Sequence, residues 1–114
     1  MANTFKLKTK ADVSSQVGIY TVPGSVNSVI VLRLILANKT SSAVSATVLL
    51  ESNTLDSEQN ENVTLLHQVP IPENSTLEVF SGQKLVLQPT DTVLAESDLS
   101  GTGLDVALSI LEVS

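Results

Sequence analysis

The chain has no cysteine and no tryptophan, and its aromatic residues come to one tyrosine and two phenylalanines. Without cysteine there is neither a disulfide framework nor a thiolate metal site, so stability has to come from packing or assembly. Phe5, Tyr20 and Phe80 leave few ring platforms for stacking sugars or bases, and the core must be built from Val, Leu and Ile. No apolar run reaches the roughly 18 residues that a membrane-spanning helix needs. The opening MANTFKLKTK also lacks the apolar centre of a secretory signal, which predicts synthesis in the cytoplasm and no membrane partner. The glycosylation-type triplets at Asn38, Asn62 and Asn74 then carry no weight.

Positive charge is scarce as well. Six basic residues stand against twelve acidic ones, for a net charge of −6. Lys6, Lys8 and Lys10 hold half of that positive charge within the first ten positions; from Ala11 onward, three basic residues face twelve acidic ones, a balance of −9. An acidic body has no basic face for phosphates, which excludes nucleic acid as the expected partner. The basic segment reads either as an arm seeking an acidic neighbour or as an edge strand whose lysines block unwanted pairing.

What the chain does contain is strand pattern. Asn27–Asn38 (NSVIVLRLILAN) is apolar on both alternating faces: Ile30, Leu32, Leu34 and Leu36 on one, Val29, Val31 and Ile35 on the other, with Arg33 among the latter. A strand has a side-chain period of two, so this pattern predicts a central strand covered on both sides. Thr4–Thr9, Val17–Val22, Ala43–Ser52, Val63–Val69, Thr76–Ser81, Lys84–Gln88, Thr92–Ser97 and Leu104–Val113 read as further strands, separated by turn signals such as Pro23-Gly24 and Pro89-Thr90-Asp91. Asn27–Asn38 and Ala43–Ser52 are expected to form a long hairpin, Gly82-Gln83 a two-residue hairpin, and Pro70-Ile71-Pro72 a strand break. Only Lys10–Gln16 is left open to helix. The 114 residues leave room for one domain, all-β and of about eight strands, an antiparallel sandwich or barrel, with residues 1–12 as its basic arm or edge.

No catalytic or ligand-binding pattern in the chain is complete. His67 is the sole histidine, on the apolar parity of its strand, with no Gly-x-Ser-x-Gly nucleophile turn to partner it. Asp56–Asn60 alternates oxygen ligands in the manner of a calcium loop, but Glu61 stands where a glycine is required and His67 where a bidentate glutamate belongs. Gly101-Thr102-Gly103 begins like a dinucleotide fingerprint and then continues into a strand. The expectation is therefore no catalytic, cofactor or metal residue and no small-molecule substrate. Arg33 should be ion-paired, with Glu51 or Asp105 as candidates, or should face another subunit.

Several segments together resemble, in order, small virion structural proteins of tailed phages, especially marine and cyanobacterial ones: TFKLKTKADV, IYTVPGSVNSVIV, LANKTSSAVSATV, VPIPENSTLEV, GQKLVLQPTDTV and LDVALSILEVS. Pro72-Glu73-Asn74 departs from the Pro-Ala-Gly-type turn found in similar proteins. The resemblance implies a non-enzymatic virion component of β-sandwich or jelly-roll-like fold. The leading expectation is a capsid-decorating or cement protein, with a neck or tail/fibre accessory as the alternative and a carbohydrate-binding adhesion module as a remote one. Its expected partners are further copies of itself, as a trimer suited to local threefold positions, and the major capsid protein. Phe5, Lys6, Leu7, Lys8, Lys10 and Arg33 are the candidate interface residues.

Overall fold

Alternation of apolar residues sets the strands, while β-bulges decide which face each residue joins. The computed structural model describes residues 3–52, 61–79, 84–98 and 103–113. Among these, nine antiparallel strands form two sheets and no helix occurs. In chain order they are β1 (Thr4–Val13), β2 (Val17–Thr21), β3 (Ser28–Asn38), β4 (Val44–Glu51), β5 (Val63–Ile71), β6 (Thr76–Glu78), β7 (Leu85–Leu87), β8 (Thr92–Ser97) and β9 (Leu104–Val113).

One sheet runs β1-β9-β3, with β6 and β7 both lying along the far side of β3. The other runs β2-β8-β4-β5. The chain crosses between the sheets at every connection except β4–β5, which are neighbours in one sheet, and β6–β7, which share one side of β3; this is jelly-roll wiring. The nine strands correspond to the nine segments read from the sequence, and because β6 and β7 share one side of β3 the nine fill eight strand positions. Both are antiparallel to β3, so they run in the same direction and are not the two arms of a hairpin. The expected turn at Gly82-Gln83 itself lies outside the described residues.

The expected β3–β4 hairpin is also replaced, because the two strands belong to different sheets. Asn38 makes the crossing. Its side-chain amide, 2% exposed, donates to the carbonyls of Ser42, Ile71 and Pro72 at 2.8, 3.0 and 3.1 Å. Its carbonyl oxygen accepts from the Thr40 N–H and hydroxyl at 3.0 and 2.7 Å. One buried side chain thus satisfies the backbone of a corner that turns from sheet to sheet. The predicted break at Pro70 does not occur either: β5 is an edge strand, and Pro70 pairs opposite Ser45 where its missing N–H costs no ladder bond on the open side. Lys10–Gln16 is no helix; β1 continues to Val13 through a bulge at Asp12, whose φ is 56°.

In β3 the register with β9 slips between Val31 and Arg33, so Leu32 is an extra residue and the two halves of the strand exchange parity. Val29 and Val31 therefore join Leu34 and Leu36 on the core face, all at 0% exposure. Ile30, Leu32, Ile35 and Ala37 look outward and are only half-buried. The strand is central in its sheet, as its pattern predicts, but in the isolated chain its second face is incompletely covered. β9 keeps strict alternation, placing Leu104, Val106, Leu108 and Ile110 in the core with Glu112 as the next residue of that face.

Candidate interface

The basic segment forms β1, hydrogen-bonded along the edge of its own sheet from Thr4↔Glu112 to Val13↔Leu104. Its alternation is turned the opposite way from an ordinary amphipathic strand. Phe5 and Leu7 point away from the core and are 74% and 63% exposed. The lysines take the inward parity at the sandwich rim, where Lys6 Nζ pairs with Glu112 Oε1 at 2.9 Å. Lys8 Nζ lies 5.8 Å from the centre of the Tyr20 ring. Lys10 borders a hollow at the other end of the strand.

Tyr20 comes from β2, in the opposite sheet, and donates its phenolic hydrogen to Glu112 Oε2 at 2.6 Å. Both residues are buried, Tyr20 at 7% and Glu112 at 6% exposure. The Tyr20 and Lys6 hydrogen bonds hold the Glu112 carboxyl below its ordinary range against the opposing effect of burial. Burial, and then the adjacent carboxylate, push the Tyr20 hydroxyl up. These groups close the rim where β1 meets β2.

A second ionic group sits at the opposite end of β1. Lys39 Nζ contacts Asp12 Oδ1 at 2.9 Å and Asp105 Oδ1 at 3.1 Å. The Lys39 hydrogen bond lowers the Asp12 carboxyl, helped by the Gly103 N–H, and Asp12 and then Asp105 raise Lys39. Arg33 pairs instead with Glu78 of β6, at 3.1 Å, with the two side chains 56% and 39% exposed. The expected partners are otherwise placed: Asp105 serves Lys39, and Glu51 is in the other sheet. Arg33 is a surface residue beside the outward face of β3 rather than a buried charge.

The two outward faces differ in kind. On the β2-β8-β4-β5 sheet, a cleft of about 450 Å³ is lined by Ser45, Thr47, Thr64, His67, Glu96 and Asp98, among others. His67 is exposed, not on an apolar face, because the β4–β5 register slips between Val48↔Leu66 and Ala46↔Val69 and Gln68 has φ 48°. The Gln68 N–H donates to the Thr47 hydroxyl at 3.0 Å within that irregularity. Glu96 and Asp98 share the cleft with His67, but Asp98 Oδ1 accepts the Ser45 N–H at 3.0 Å. No group of three or more metal-ligating side chains converges among the described residues. Asp56–Asn60 of the calcium-like run lie outside the described residues.

On the β1-β9-β3 sheet the outward face is apolar. Phe5, Leu111, Ile30 and Val86 follow one another across the strands, since Phe5 pairs with Leu111, Leu111 with Ile30 and Ile30 with Val86. Val86 is 62% exposed. Sequence reasoning placed Phe5, Leu7 and Arg33 on this surface. It missed Ile30, Leu32, Leu111 and Val86, although the doubly apolar parity of β3 was their signal. It also missed Glu112, detectable as an acid on the core parity of β9.

Comparison with protein-family models and with curated proteins finds no match. Among solved structures, the chain is similar to one from the disulfide-linked pili of Bacillus endospore appendages, at 12% identity, TM-score 0.54 and coverage of 99% of this chain and 88% of that one. It is similar to a chain of the acid-stable capsid of the Helicobacter pylori bacteriophage KHP30, at 12% identity, TM-score 0.53 and coverage of 98% and 87%. A third similarity is to infectious bursal disease virus, Gx strain, at 4% identity and TM-score 0.50, covering 96% of this chain and 33% of that one. At these identities the likeness is one of fold, and it spans essentially the whole chain.

Proposed function

We propose that this protein is a non-enzymatic structural component of a tailed-phage virion, and within the virion a capsid decoration or cement protein. The observation that carries the reading is the jelly-roll framework itself, superposable along nearly the full length of a phage capsid chain. The segment-by-segment resemblance to small phage virion proteins supports the same assignment. So does the apolar outward face of the β1-β9-β3 sheet, since large exposed apolar surfaces mark association sites. The partners under this reading are copies of the same chain and the major capsid protein, with three copies seated around each local threefold position of the shell.

Attachment by charge has a narrower basis than the sequence suggests. Lys6 and Lys8 are engaged at the rim with Glu112 and Tyr20, whereas Lys10 has no ion pair among the described residues. A neck or tail/fibre accessory role is the second reading, favoured by the similarity to a pilus subunit. The disulfide linkage named for that pilus has no counterpart here, because this chain has no cysteine.

Mass spectrometry of separated heads and tails from purified particles tests the assignment. Recovery with heads, at a copy number comparable with shell sites, is the expected result. Recovery with tails alone moves the protein to the accessory role, and absence from particles overturns the virion reading.

A further inference from the structure

The outward face of the β1-β9-β3 sheet has a relief with a definite order along the strands. At the level of Phe5, Leu111 and Ile30 it carries large side chains. A first hollow, of about 360 Å³, lies beside Leu7, Leu32 and Ser109, and a second, of about 260 Å³, begins at Thr9 and Ala107, four residues along from Phe5 and Leu111, where Ala11, Ala37 and Ala107 share its wall with Ile35, Lys10 and Asp105. Ser109, paired opposite Leu7 on one side and Arg33 on the other, marks the boundary. Phe5 and Leu111 thus stand two residues to one side of Leu7 and Ser109, and Thr9 and Ala107, on the near wall of the second hollow, two residues to the other.

We propose that this face is a self-complementary interface at which two copies of the chain pack sheet against sheet. The twofold axis lies in the interface, across the strands at the level of Ser109. Such an axis sets β9 against β9 and β1 against β1 in opposite directions. Leu111 of one copy then lies over Ala107 of the other, and Phe5 lies over Thr9 on the near wall of the second hollow. Twofold interfaces require this property, that a patch be complementary to itself, and aligned sheet packing accommodates the strand directions.

The available area suits a second copy. β1 and β9 have ten residues each; at about 3.3 Å per residue and about 4.8 Å between strands, four strand positions present roughly 600 Å². Two copies would bury about 1,200 Å², the lower bound for a specific stable interface. Arg33 is paired opposite Ser109, so the axis brings the Arg33 side chains of the two copies near each other, each balanced by its own Glu78 carboxylate at 3.1 Å. The other sheet offers no equivalent, since its outward cleft is lined mainly by polar and charged side chains.

The test is made on the full-length protein free in solution, so it does not depend on where the chain resides in a particle. Sedimentation velocity at micromolar concentration should show a dimer. Phe5→Asp should weaken it by about 100-fold or more, as for a truncated aromatic anchor. Ala107→Phe, which fills the second hollow from a different strand, should do the same, while Thr64→Asp on the opposite sheet should not. Because the chain has no cysteine, Ser109→Cys provides one thiol near the axis, and a short bismaleimide should link it to its symmetry mate faster than it links Thr64→Cys. A wild-type monomer at about 100 μM, a trimer, or a dimer indifferent to both Phe5→Asp and Ala107→Phe would overturn the proposal. Particle location is a separate measurement, so failure of this pairing leaves the virion assignment standing, and failure of that assignment leaves the pairing standing.

Discussion

Tyr20 and Glu112 are 92 positions apart in the chain and join the two sheets through a 2.6 Å hydrogen bond from the phenol to the carboxylate. The bond is charge-assisted and lies at a buried rim. Glu112 would be an isolated acid at the end of the core without Tyr20 on one oxygen and Lys6 on the other. The arrangement ties β1, β2 and β9 together at the rim where the edge strands of both sheets meet.

The first prediction follows from that geometry. Tyr20→Phe should lower stability by about 1.5–3 kcal/mol, the usual range for a hydrogen bond to a charged group, read by urea unfolding. The pH dependence has a defined sign. The Glu112 carboxyl is lowered from its ordinary 4.5 in the folded state, so its contribution is present above pH 4.5 and is lost as pH falls through the folded value. Tyr20 is raised from 10.0, so its contribution is present below pH 10 and is lost as pH rises beyond it. Glu112→Gln should flatten the acid limb of the stability curve; an acid limb unchanged in that variant would remove the group from the account.

A second prediction separates the two faces of β3. Leu34 is fully buried, whereas Leu32 is the outward bulge residue. Leu34→Ala should cost about 2–5 kcal/mol, as for other core leucines. Leu32→Ala should cost well under half as much in the isolated subunit. Equal losses would mean that both faces of the strand are covered within one chain.

The strand segments were legible in the sequence because alternation and turn residues are local properties. Their number and spacing pointed to an antiparallel sandwich or barrel, the resemblance to phage virion proteins narrowed this to a jelly-roll-like fold, and the aliphatic core followed from composition. The errors arose where a single residue of slippage changes the outcome. The bulge at Leu32 reversed one half of β3, and the irregularity at Gln68 turned His67 to solvent. Neither leaves a mark in an apolar run, since a shift of one residue alters face but not hydrophobicity. Strand partners were less legible still. Asn38-Lys39-Thr40 has the composition of a hairpin turn, and only the distant carbonyls of Ile71 and Pro72 make Asn38 a corner between sheets. The candidate surface was half visible: Phe5 and Leu7 stood out beside lysines, but their exposure depends on Glu112 drawing Lys6 inward from the opposite end of the chain.

The third prediction concerns that corner. Asn38→Ala leaves the Ile71 and Pro72 carbonyls without their amide donor and should destabilise the fold by about 2–3 kcal/mol, since buried acceptors lose their partner while water is excluded. Asn38→Asp should be at least as harmful, because a carboxylate keeps the acceptor role toward Thr40 but cannot donate to three carbonyls. A variant that melts with the wild type would show that the corner is set by its loop alone.

His67→Ala should leave stability within about 0.5 kcal/mol, as expected of an exposed strand residue away from special contacts, and should leave particle assembly intact. Loss of assembly without loss of folding would give the polar cleft around His67 a function that the virion reading does not assign.

The last prediction concerns the basic N-terminus, for which an exchangeable arm and an intrinsic edge strand imply different results. β1 is hydrogen-bonded to β9 along its length, and Lys6 supplies the cation for a buried carboxylate. Deleting Ala2–Lys10 would strip β9 of its neighbour and leave Glu112 with Tyr20 alone. It would also present a long apolar strand as an open edge, a template for intermolecular pairing. The melting temperature of the isolated protein should therefore fall, and the truncated chain should aggregate more readily. Added salt should not reproduce the loss, because Glu112 is buried at the rim and screening acts mainly on exposed charges. An arm that serves attachment alone predicts the reverse: an unchanged melting temperature in the deletion, and particle binding that weakens both on deletion and on raising salt. The two melting curves, recorded at low and high salt, distinguish these cases.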